Sequence, residues 1–180
     1  MQVETIDVEW GKPLPAEAIR KRLEANPSIR AVFTTLCETS TGTDYDVEGY
    51  GRVVREFPGT VLVVDAVSGL GALPCRTDAW GLDVVVTGSQ KALMLPPGLA
   101  CASVSAKAWS FIEKSSSPRY YFDLRRYRKV LPKSDFPFTT AVSLVRGLDR
   151  ALSLIRERGI EAVWSEHRRR AEATRAGIAA

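Results

Sequence analysis

The chain has 180 residues, 45% of them hydrophobic, and its 25 basic and 21 acidic residues leave a formal charge of +4 at pH 7. That length is enough for one ordinary hydrophobic core or for a large piece of a bigger domain. The basic excess lies mainly in 125–129 (RRYRK) and 167–170 (HRRR). Both runs are typical of solvated helix faces rather than of a nucleic-acid-binding surface.

Apolar runs and helical patterns alternate along the chain. The segment 3–10 (VETIDVEW) reads as a strand that the chain enters directly. Further strands are predicted over 29–36, 60–67, 83–88 and 99–105. Helices are predicted over 15–25, 46–57, about 140–157 and from 160 to the end.

Short and nearly continuous hydrophobic strands that alternate with helices predict an α/β fold. Its sheet is expected to be mostly parallel and to be flanked by helices on both faces. The last residues (RAEATRAGIAA) keep helical character without a termination signal. We therefore expect both ends of the chain to cut through a larger fold.

The cysteines and the histidine offer little chemistry. Cys37, Cys75 and Cys101 are widely spaced, and the single histidine, His167, lies among arginines on a predicted surface helix. Neither a disulfide framework nor a metal site is expected. No signal peptide or apolar run long enough to span a membrane is recognisable, so we expect a cytoplasmic protein with no membrane partner.

Polar residues follow three of the predicted strands. They are Glu38 to Gly42 after the first long strand, Asp65 late in the second, and Gly88 to Lys91 after the third. Ligands of a parallel sheet collect at the carboxyl ends of its strands. A carboxylate, an ammonium group and several hydroxyls are therefore expected at one edge, where they would form a reactive constellation.

Asp65 and Lys91 each allow two interpretations when taken alone. A charge in an apolar strand is costly unless it is paired, so Asp65 could form a salt bridge or cap the following turn at Ser68. Lys91 could extend from a loop to the surface, or it could be a nucleophilic amine that forms a Schiff base. Neither residue decides the matter by itself.

Three stretches together carry a family resemblance. They are 38–56 (ETSTGTDYDVEGYGRVVRE), 63–105 with its VVDAVSGLGALP and GSQKALMLPPG motifs, and 136–177, which begins FPFTTAVS. They resemble the class V, fold-type I, pyridoxal-phosphate-dependent aminotransferases. Within that class the nearest branch is the alanine–glyoxylate and serine–glyoxylate (serine–pyruvate) aminotransferases. The resemblance spans essentially the whole chain.

The resemblance implies roles for three residues around the cofactor ring. Lys91 would hold pyridoxal phosphate as an internal aldimine and, once freed, would move a proton during transfer. Asp65 would pair with the pyridine nitrogen and keep it protonated, so that the ring can act as an electron sink. Val67, expected on the same side of the strand as Asp65, would pack on one face of the ring.

Three further roles follow from the same resemblance. Gln90 matches a phosphate-contacting position, and Thr39 matches a hydroxyl residue near the phenolic oxygen. Thr139 lies where the family reaches across a dimer interface to the partner's phosphate. The tyrosine or threonine that often precedes that position is replaced here by Phe136 and Phe138, which weakens the cross-subunit assignment.

The implied function is transfer of an amino group from alanine or serine to glyoxylate or pyruvate by a homodimer. Residues 1–180 would form part of the cofactor-binding large domain, with 160–180 beginning the connection to a small domain. The family's phosphate turn and ring-stacking aromatic would precede residue 1, and its carboxylate-binding arginine would follow residue 180. The 180-residue piece alone is therefore expected to be inactive.

Two alternatives share the fold. Cysteine desulfurases usually carry a histidine before the lysine and a cysteine on a mobile loop, whereas this chain has Gln90 and no cysteine in a convincing loop. A non-catalytic subunit of the same fold, as in some hydrogenase-associated relatives, is the second alternative. Retention of Asp65, Gln90 and Lys91 favours an enzyme.

Overall fold

The computed structural model describes residues 2–179, which form two sheets and seven α-helices. The strands are β1 (Ala31–Thr35), β2 (Cys37–Glu38), β3 (Thr43–Asp44), β4 (Val61–Asp65), β5 (Val84–Gly88) and β6 (Ala100–Val104). The helices are α1 (Ala16–Ala25), α2 (Val47–Arg55), α3 (Thr77–Trp80), α4 (Ala106–Lys114), α5 (Leu124–Val130), α6 (Val142–Arg158) and α7 (Ile160–Ala179), with a short 3-10 helix at Leu131–Lys133.

The main sheet has the strand order β1-β4-β5-β6, and the small β2-β3 ribbon is separate. Strands β1, β4 and β5 are parallel, whereas β6 runs antiparallel to β5. The predicted α/β class with a mostly parallel sheet is therefore confirmed. Because Gly88 at the end of β5 pairs with Ala100 at the start of β6, the connection between them folds back at the carboxyl edge of the sheet.

The hydrophobic core lies between one face of the sheet and helices α1 and α2. Leu62 and Val64 of β4 and Tyr50 and Val54 of α2 are fully buried there. Tyr50 also donates its hydroxyl hydrogen to the carbonyl oxygen of Leu14 at 2.6 Å. Each such side chain stabilises the fold by roughly 1.5–3 kcal/mol, so this face holds the strands together.

The opposite face of the sheet is open, although helices were predicted on both faces. Phe33 is 70% exposed, and it pairs in register with Val63 of the neighbouring strand. Together with Val86 and Asp65 these residues line an open cleft of about 470 Å³. The helices of the core, α1 and α2, pack on the other side of the sheet.

Helix α2 has Gly51 at a point where a neighbouring segment approaches very closely. A Cβ atom on Gly51 would lie 2.0 Å from the carbonyl oxygen of Trp80, a separation no carbon and oxygen tolerate. The helix begins with Asp46, whose Oδ1 accepts a hydrogen bond from Gly49 N at 2.8 Å. This capping supports the helix start despite the low helix propensity of glycine.

The predicted N-terminal strand is wrong, because residues 2–9 contain no strand. Val3 is 70% exposed, so its apolar surface meets no neighbouring strand in the described part of the chain. Glu4 instead accepts a hydrogen bond from Asn26 Nδ2 at 2.6 Å and lies 3.6 Å from Arg22 NH1. The segment therefore lies against the end of α1.

A buried carboxylate holds the amino edge of the sheet. Asp83 is only 4% exposed. Its Oδ2 accepts hydrogen bonds from Leu62 N at 2.9 Å and from Lys107 Nζ at 3.2 Å. Its Oδ1 accepts from Ser105 Oγ at 2.8 Å. This network joins β4, the approach to β5 and the start of α4, at the end of the sheet opposite to the predicted site.

The basic run 125–129 is largely engaged within the protein. Arg128 forms an ion pair with Glu113 at 2.9 Å, and Arg125 pairs with Asp123 at 2.8 Å. Arg126 stacks over Tyr120, with 4.6 Å from its guanidinium carbon to the ring centroid. Among residues 2–179, no helix combines the length and the apolar character needed to cross a membrane.

Candidate functional site

Two loops meet at the carboxyl edge through a pair of hydroxyl groups. Thr39 lies in the loop between β2 and β3, and its Oγ1 is 2.5 Å from Ser68 Oγ in the turn that follows β4. Glu38 shapes the first loop by accepting hydrogen bonds from Ser40 N at 2.9 Å and Ser40 Oγ at 2.8 Å. The backbone hydrogen bond from Ser40 holds the pKa of Glu38 below its usual value.

Asp65 is the exposed last residue of β4. Its Oδ1 accepts a hydrogen bond from Val67 N at 2.8 Å, so the carboxylate caps the following turn, as one of the two interpretations predicted. No ion-pair partner for Asp65 and no hydrogen bond to its Oδ2 occurs within residues 2–179. One carboxylate oxygen thus remains available at the edge of the sheet.

Val67 does not lie on the strand as predicted. Strand β4 ends at Asp65, and Val67 is half-buried in the turn that begins there. The continuous apolar run 60–67 predicts a strand that ends two residues too late. The chain instead turns after Asp65, whose Oδ1 accepts a hydrogen bond from Val67 N. Val67 is held beside Asp65 by this hydrogen bond rather than by the alternation of a strand.

Lys91 lies in the connection between β5 and β6, with its side chain exposed. Lys91 occurs among apolar residues because these neighbours anchor the loop. Leu93 is 6% exposed, and Ala92 packs so near Gly71 that a Cβ there would be 3.2 Å from the Cβ of Ala92. The turn after β4 and the lysine loop are therefore in contact, while the amine faces outward.

Gln90 folds back over the end of β5. A Cβ atom on Gly88 would lie 2.6 Å from Gln90 Oε1 and 3.2 Å from its Nε2. The side-chain amide thus occupies the space that any other residue at position 88 would need. Gln90 is exposed, so its amide stays accessible beside Lys91.

Thr139 is not brought together with the other candidates. It is exposed and precedes α6, and no hydrogen bond joins it to another candidate within the described residues. Helix α6 itself packs against the lysine loop. A Cβ on Gly98 would lie 2.6 Å from Leu144 Cδ1, and one on Gly147 would lie 2.9 Å from Leu95 Cδ2.

Two serines lie in segments that the sequence places at this edge, but the sequence assigns neither of them a role. Ser68 is the partner of Thr39, and Ser89 is a buried residue, 2% exposed, at the base of the lysine loop. The contacts of these serines depend on which loops meet in the folded protein. The spacing of residues in the sequence does not show this. Serines after strands are common in loops, so neither stands out as a candidate.

The donor set at this edge suits pyridoxal phosphate. An exposed primary amine at Lys91 offers a point of covalent attachment, and the unengaged oxygen of Asp65 suits a protonated ring nitrogen. The amide of Gln90 and the hydroxyls of Thr39 and Ser68 are suited to phenolic and phosphate oxygens. The cleft of about 470 Å³ beside Asp65 gives such a ring room to approach.

Comparisons with known proteins identify relatives along the full length. The family model described as Aminotransferase class-V matches residues 1–180. A soluble hydrogenase 42 kDa subunit of Anabaena cylindrica is 42% identical, covering 100% of this chain and 48% of the relative. A serine–glyoxylate aminotransferase of Hyphomicrobium methylovorum is 38% identical, covering 99% of this chain and 45% of the relative.

A solved structure agrees with these matches. The crystal structure of pyridoxamine–pyruvate aminotransferase from Mesorhizobium loti superimposes with a TM-score of 0.91 at 34% identity, over 97% of this chain and 45% of that protein. The chain therefore spans about half the length of the curated relatives that it matches.

Proposed function

The chain belongs to the class V aminotransferase family, and on that premise we propose that it forms the cofactor-binding part of a pyridoxal-phosphate-dependent aminotransferase. The family and its structural neighbours use this cofactor. The proposed reaction moves an amino group from alanine or serine to glyoxylate or pyruvate. The names of relatives that act on serine and glyoxylate support this substrate class.

One observation carries the proposal. Asp65, at the end of β4, pairs in register with Val86 of β5, and Lys91 follows β5 in a loop that returns along the same edge. A carboxylate and an amine thus come from adjacent parallel strands, where ligands of such sheets bind. The pair matches the two chemical needs of the cofactor, an attachment point and a counter-charge for the ring nitrogen.

The residues at this edge have three roles towards the cofactor: they attach it, provide the charge opposite its ring nitrogen, and position its ring. When bound, pyridoxal phosphate supplies an electron sink for the bond that breaks at the substrate α-carbon. Lys91 Nζ would attach the cofactor and, when released, would accept the proton from that carbon and deliver it to C4′ of the cofactor. Asp65 Oδ2 keeps the proton on the ring nitrogen. Val67, beside it, packs on the ring.

The remaining polar groups orient the cofactor. We assign Gln90 to the phosphate and the hydroxyl of Thr39 to the phenolic oxygen. The hydrogen bond between Thr39 Oγ1 and Ser68 Oγ holds that hydroxyl oxygen in place, which supports a positioning role. Binding of the cofactor would require little rearrangement of these groups because the surrounding turns already hold them.

We propose that the complete protein is a homodimer and that Thr139 contacts the cofactor phosphate of the other protomer. Two features of the segment before α6 support this. Thr139 itself is exposed, and large apolar side chains between α4 and α6 are exposed as well. Tyr120 is 71%, Phe122 84% and Leu131 71% exposed. Exposed apolar clusters of this kind commonly mark protein interfaces.

Residues 1–180 form, in this proposal, part of the large domain, and α7 begins the connection to a small domain. Coverage of 45–48% of the relatives' length supports the first statement. Helix α7 is held to the body by Arg76, which pairs with Glu161 at 3.0 Å and stacks over Trp164. A cytoplasmic location is consistent with three free cysteines among the described residues.

The test is a panel of amino donors and acceptors with the complete polypeptide. Serine and alanine should transfer to glyoxylate or pyruvate, with the cofactor's absorbance shifting as each donor is added. Residues 1–180 expressed alone should show no turnover under the same conditions, since the relatives are twice as long. Absence of transfer from every donor in the complete, cofactor-loaded protein would contradict the proposal.

A second candidate is a non-catalytic subunit of the same fold. The name of the Anabaena cylindrica relative, at 42% identity, favours it. The two candidates differ in the absorbance of the complete protein, because an attached cofactor absorbs in the near-visible range. A protein that neither binds pyridoxal phosphate nor shifts its spectrum with amino acids would favour the subunit.

A further inference from the structure

The loop that carries Lys91 closes on one buried hydroxyl group. Ser89 is 2% exposed, and its Oγ donates to the carbonyl oxygen of Pro96 at 2.7 Å and accepts from Leu99 N at 3.2 Å. Its backbone N donates to Leu99 O at 3.0 Å, and its carbonyl accepts from Leu95 N at 3.1 Å. One residue thereby joins the start of the loop to two places near its end.

Few other hydrogen bonds within the loop define its path. Pro96 and Pro97 have no backbone hydrogen to donate, and the internal turn rests on one bond, from Met94 N to Lys91 O at 2.9 Å. Met94 has a φ of 60°, a left-handed conformation that a non-glycine residue adopts only when its surroundings hold it there. The hydrogen bonds of Ser89 with Leu95 N and with the carbonyl oxygen of Pro96 close the loop directly after Met94.

We propose that Ser89 is a positioning residue for Lys91. Its hydroxyl holds the loop in the conformation that places Lys91 at the carboxyl edge, beside the strand that ends at Asp65. The inference rests on the proposed function of Lys91 and assigns Ser89 no contact with the cofactor. Leu93, 6% exposed, anchors the middle of the loop independently, so loss of the hydroxyl should loosen the loop without unfolding the domain.

The test compares Ser89→Ala with Ser105→Ala in the complete protein. Ser105 is a matched control at the opposite end of the sheet. Its Oγ also donates one hydrogen bond, to Asp83 Oδ1 at 2.8 Å, and accepts one from a backbone amide, Ala108 N at 3.0 Å. The two measurements are the dissociation constant of pyridoxal phosphate from the apoprotein and the hydrogen exchange of the Leu99 amide.

Ser89→Ala should raise the dissociation constant about tenfold, as expected for the loss of two hydrogen bonds that hold a binding loop. It should also accelerate exchange of the Leu99 amide. Ser105→Ala should lower the melting temperature by about as much as Ser89→Ala does. It should leave the dissociation constant and the exchange of the Leu99 amide within about twofold of the wild type. A Ser89→Cys variant, which keeps a weak donor of similar size, should lie between the wild type and Ser89→Ala.

An unchanged dissociation constant in Ser89→Ala would overturn the inference. So would failure of that variant to fold while Ser105→Ala folds, because Ser89 would then be structural. Borohydride reduction of the wild type separates this result from failure of the proposed function. If the wild type carries the cofactor on Lys91 and Ser89→Ala binds it equally well, only the positioning role is wrong. If it carries none on Lys91, both proposals fail.

Discussion

Thr39 and Ser68 share a hydrogen bond of 2.5 Å between their hydroxyl oxygens, although they come from turns after different strands. The bond joins the loop between β2 and β3 to the turn that Asp65 caps. Because each residue is also part of a tight turn, the pair links two rigid segments at the proposed site. Its strength is therefore measurable as a coupling between the two positions.

A double-mutant cycle with Thr39→Val and Ser68→Ala should reveal that coupling. Each single change removes the shared hydrogen bond, so the double variant should be less destabilised than the sum of the two. The expected coupling is about 1 kcal/mol in the free energy of unfolding, measured by denaturant titration of the complete protein. Additive effects would mean that the two hydroxyls do not interact in solution.

Substitutions of Asp65 should separate its charge from its turn cap. Asparagine keeps an oxygen that can accept from Val67 N, but it lacks the negative charge that the ring nitrogen needs. Asp65→Asn should therefore retain near-wild-type thermal stability and lose most transamination activity. Asp65→Ala should lose activity and also about 1 kcal/mol of stability with the missing cap.

Asp65→Glu serves as the conservative control and should be less damaging to activity than either change. Single-turnover rates with a good amino donor give the comparison. Rates in Asp65→Asn close to those of the wild type would show that the charge is not used and that Asp65 only caps the turn.

The buried carboxylate of Asp83 should matter for stability alone. Asp83→Ala leaves the amide of Leu62 and the hydroxyl of Ser105 without their partner, which should cost about 3 kcal/mol in the free energy of unfolding. Asp78→Ala, at a nearby exposed position, should cost less than about 0.5 kcal/mol. Thermal denaturation tests both, and equal effects would contradict the network described here.

Acid should weaken the start of α5 through Asp123. Hydrogen bonds from the Arg125 side chain lower the pKa of Asp123 from 3.8 to about 2. A carboxyl group whose pKa is lower in the folded state stabilises the protein above its unfolded pKa, and this contribution disappears as the pH falls from about 4 to about 2.

The stability difference between the wild type and Asp123→Asn should therefore be constant above about pH 5 and shrink towards pH 2. Other carboxylates, such as Glu38, titrate in both proteins and cancel in the comparison. Melting temperatures measured in steps of pH give the curve. A difference that does not change with pH would show that Arg125 does not hold Asp123 in this way.

The fold was largely predictable because its central strands are apolar on both sides of the backbone. The valine runs of β4 and β5 indicate buried parallel strands, and the sequence alone therefore places Asp65 and Lys91 at one edge. The exposed segment 3–10 was mispredicted because alternation of apolar residues cannot show whether a neighbouring strand exists to pair with it.

The details of the site were less predictable because they depend on contacts between loops. Val67 was expected on the strand, but β4 ends at Asp65, and Val67 lies in the turn that the hydrogen bond to Asp65 stabilises. The hydrogen bonds of Ser89 across the lysine loop and the pairing of Thr39 with Ser68 depend on how these loops fold. Helix α4 was missed although Ser105 caps it by accepting from Ala108 N, a signal that the sequence does contain.

The central claim is that Lys91 is the attachment point of pyridoxal phosphate. The complete protein, loaded with cofactor, should be reduced with borohydride, digested and mapped by mass spectrometry, with Lys91→Arg as the control that keeps the positive charge. We predict one modified lysine in the wild type, Lys91, and neither modification nor near-visible absorbance in Lys91→Arg. Stoichiometric labelling of any other lysine, or an unchanged spectrum in Lys91→Arg, would contradict the claim.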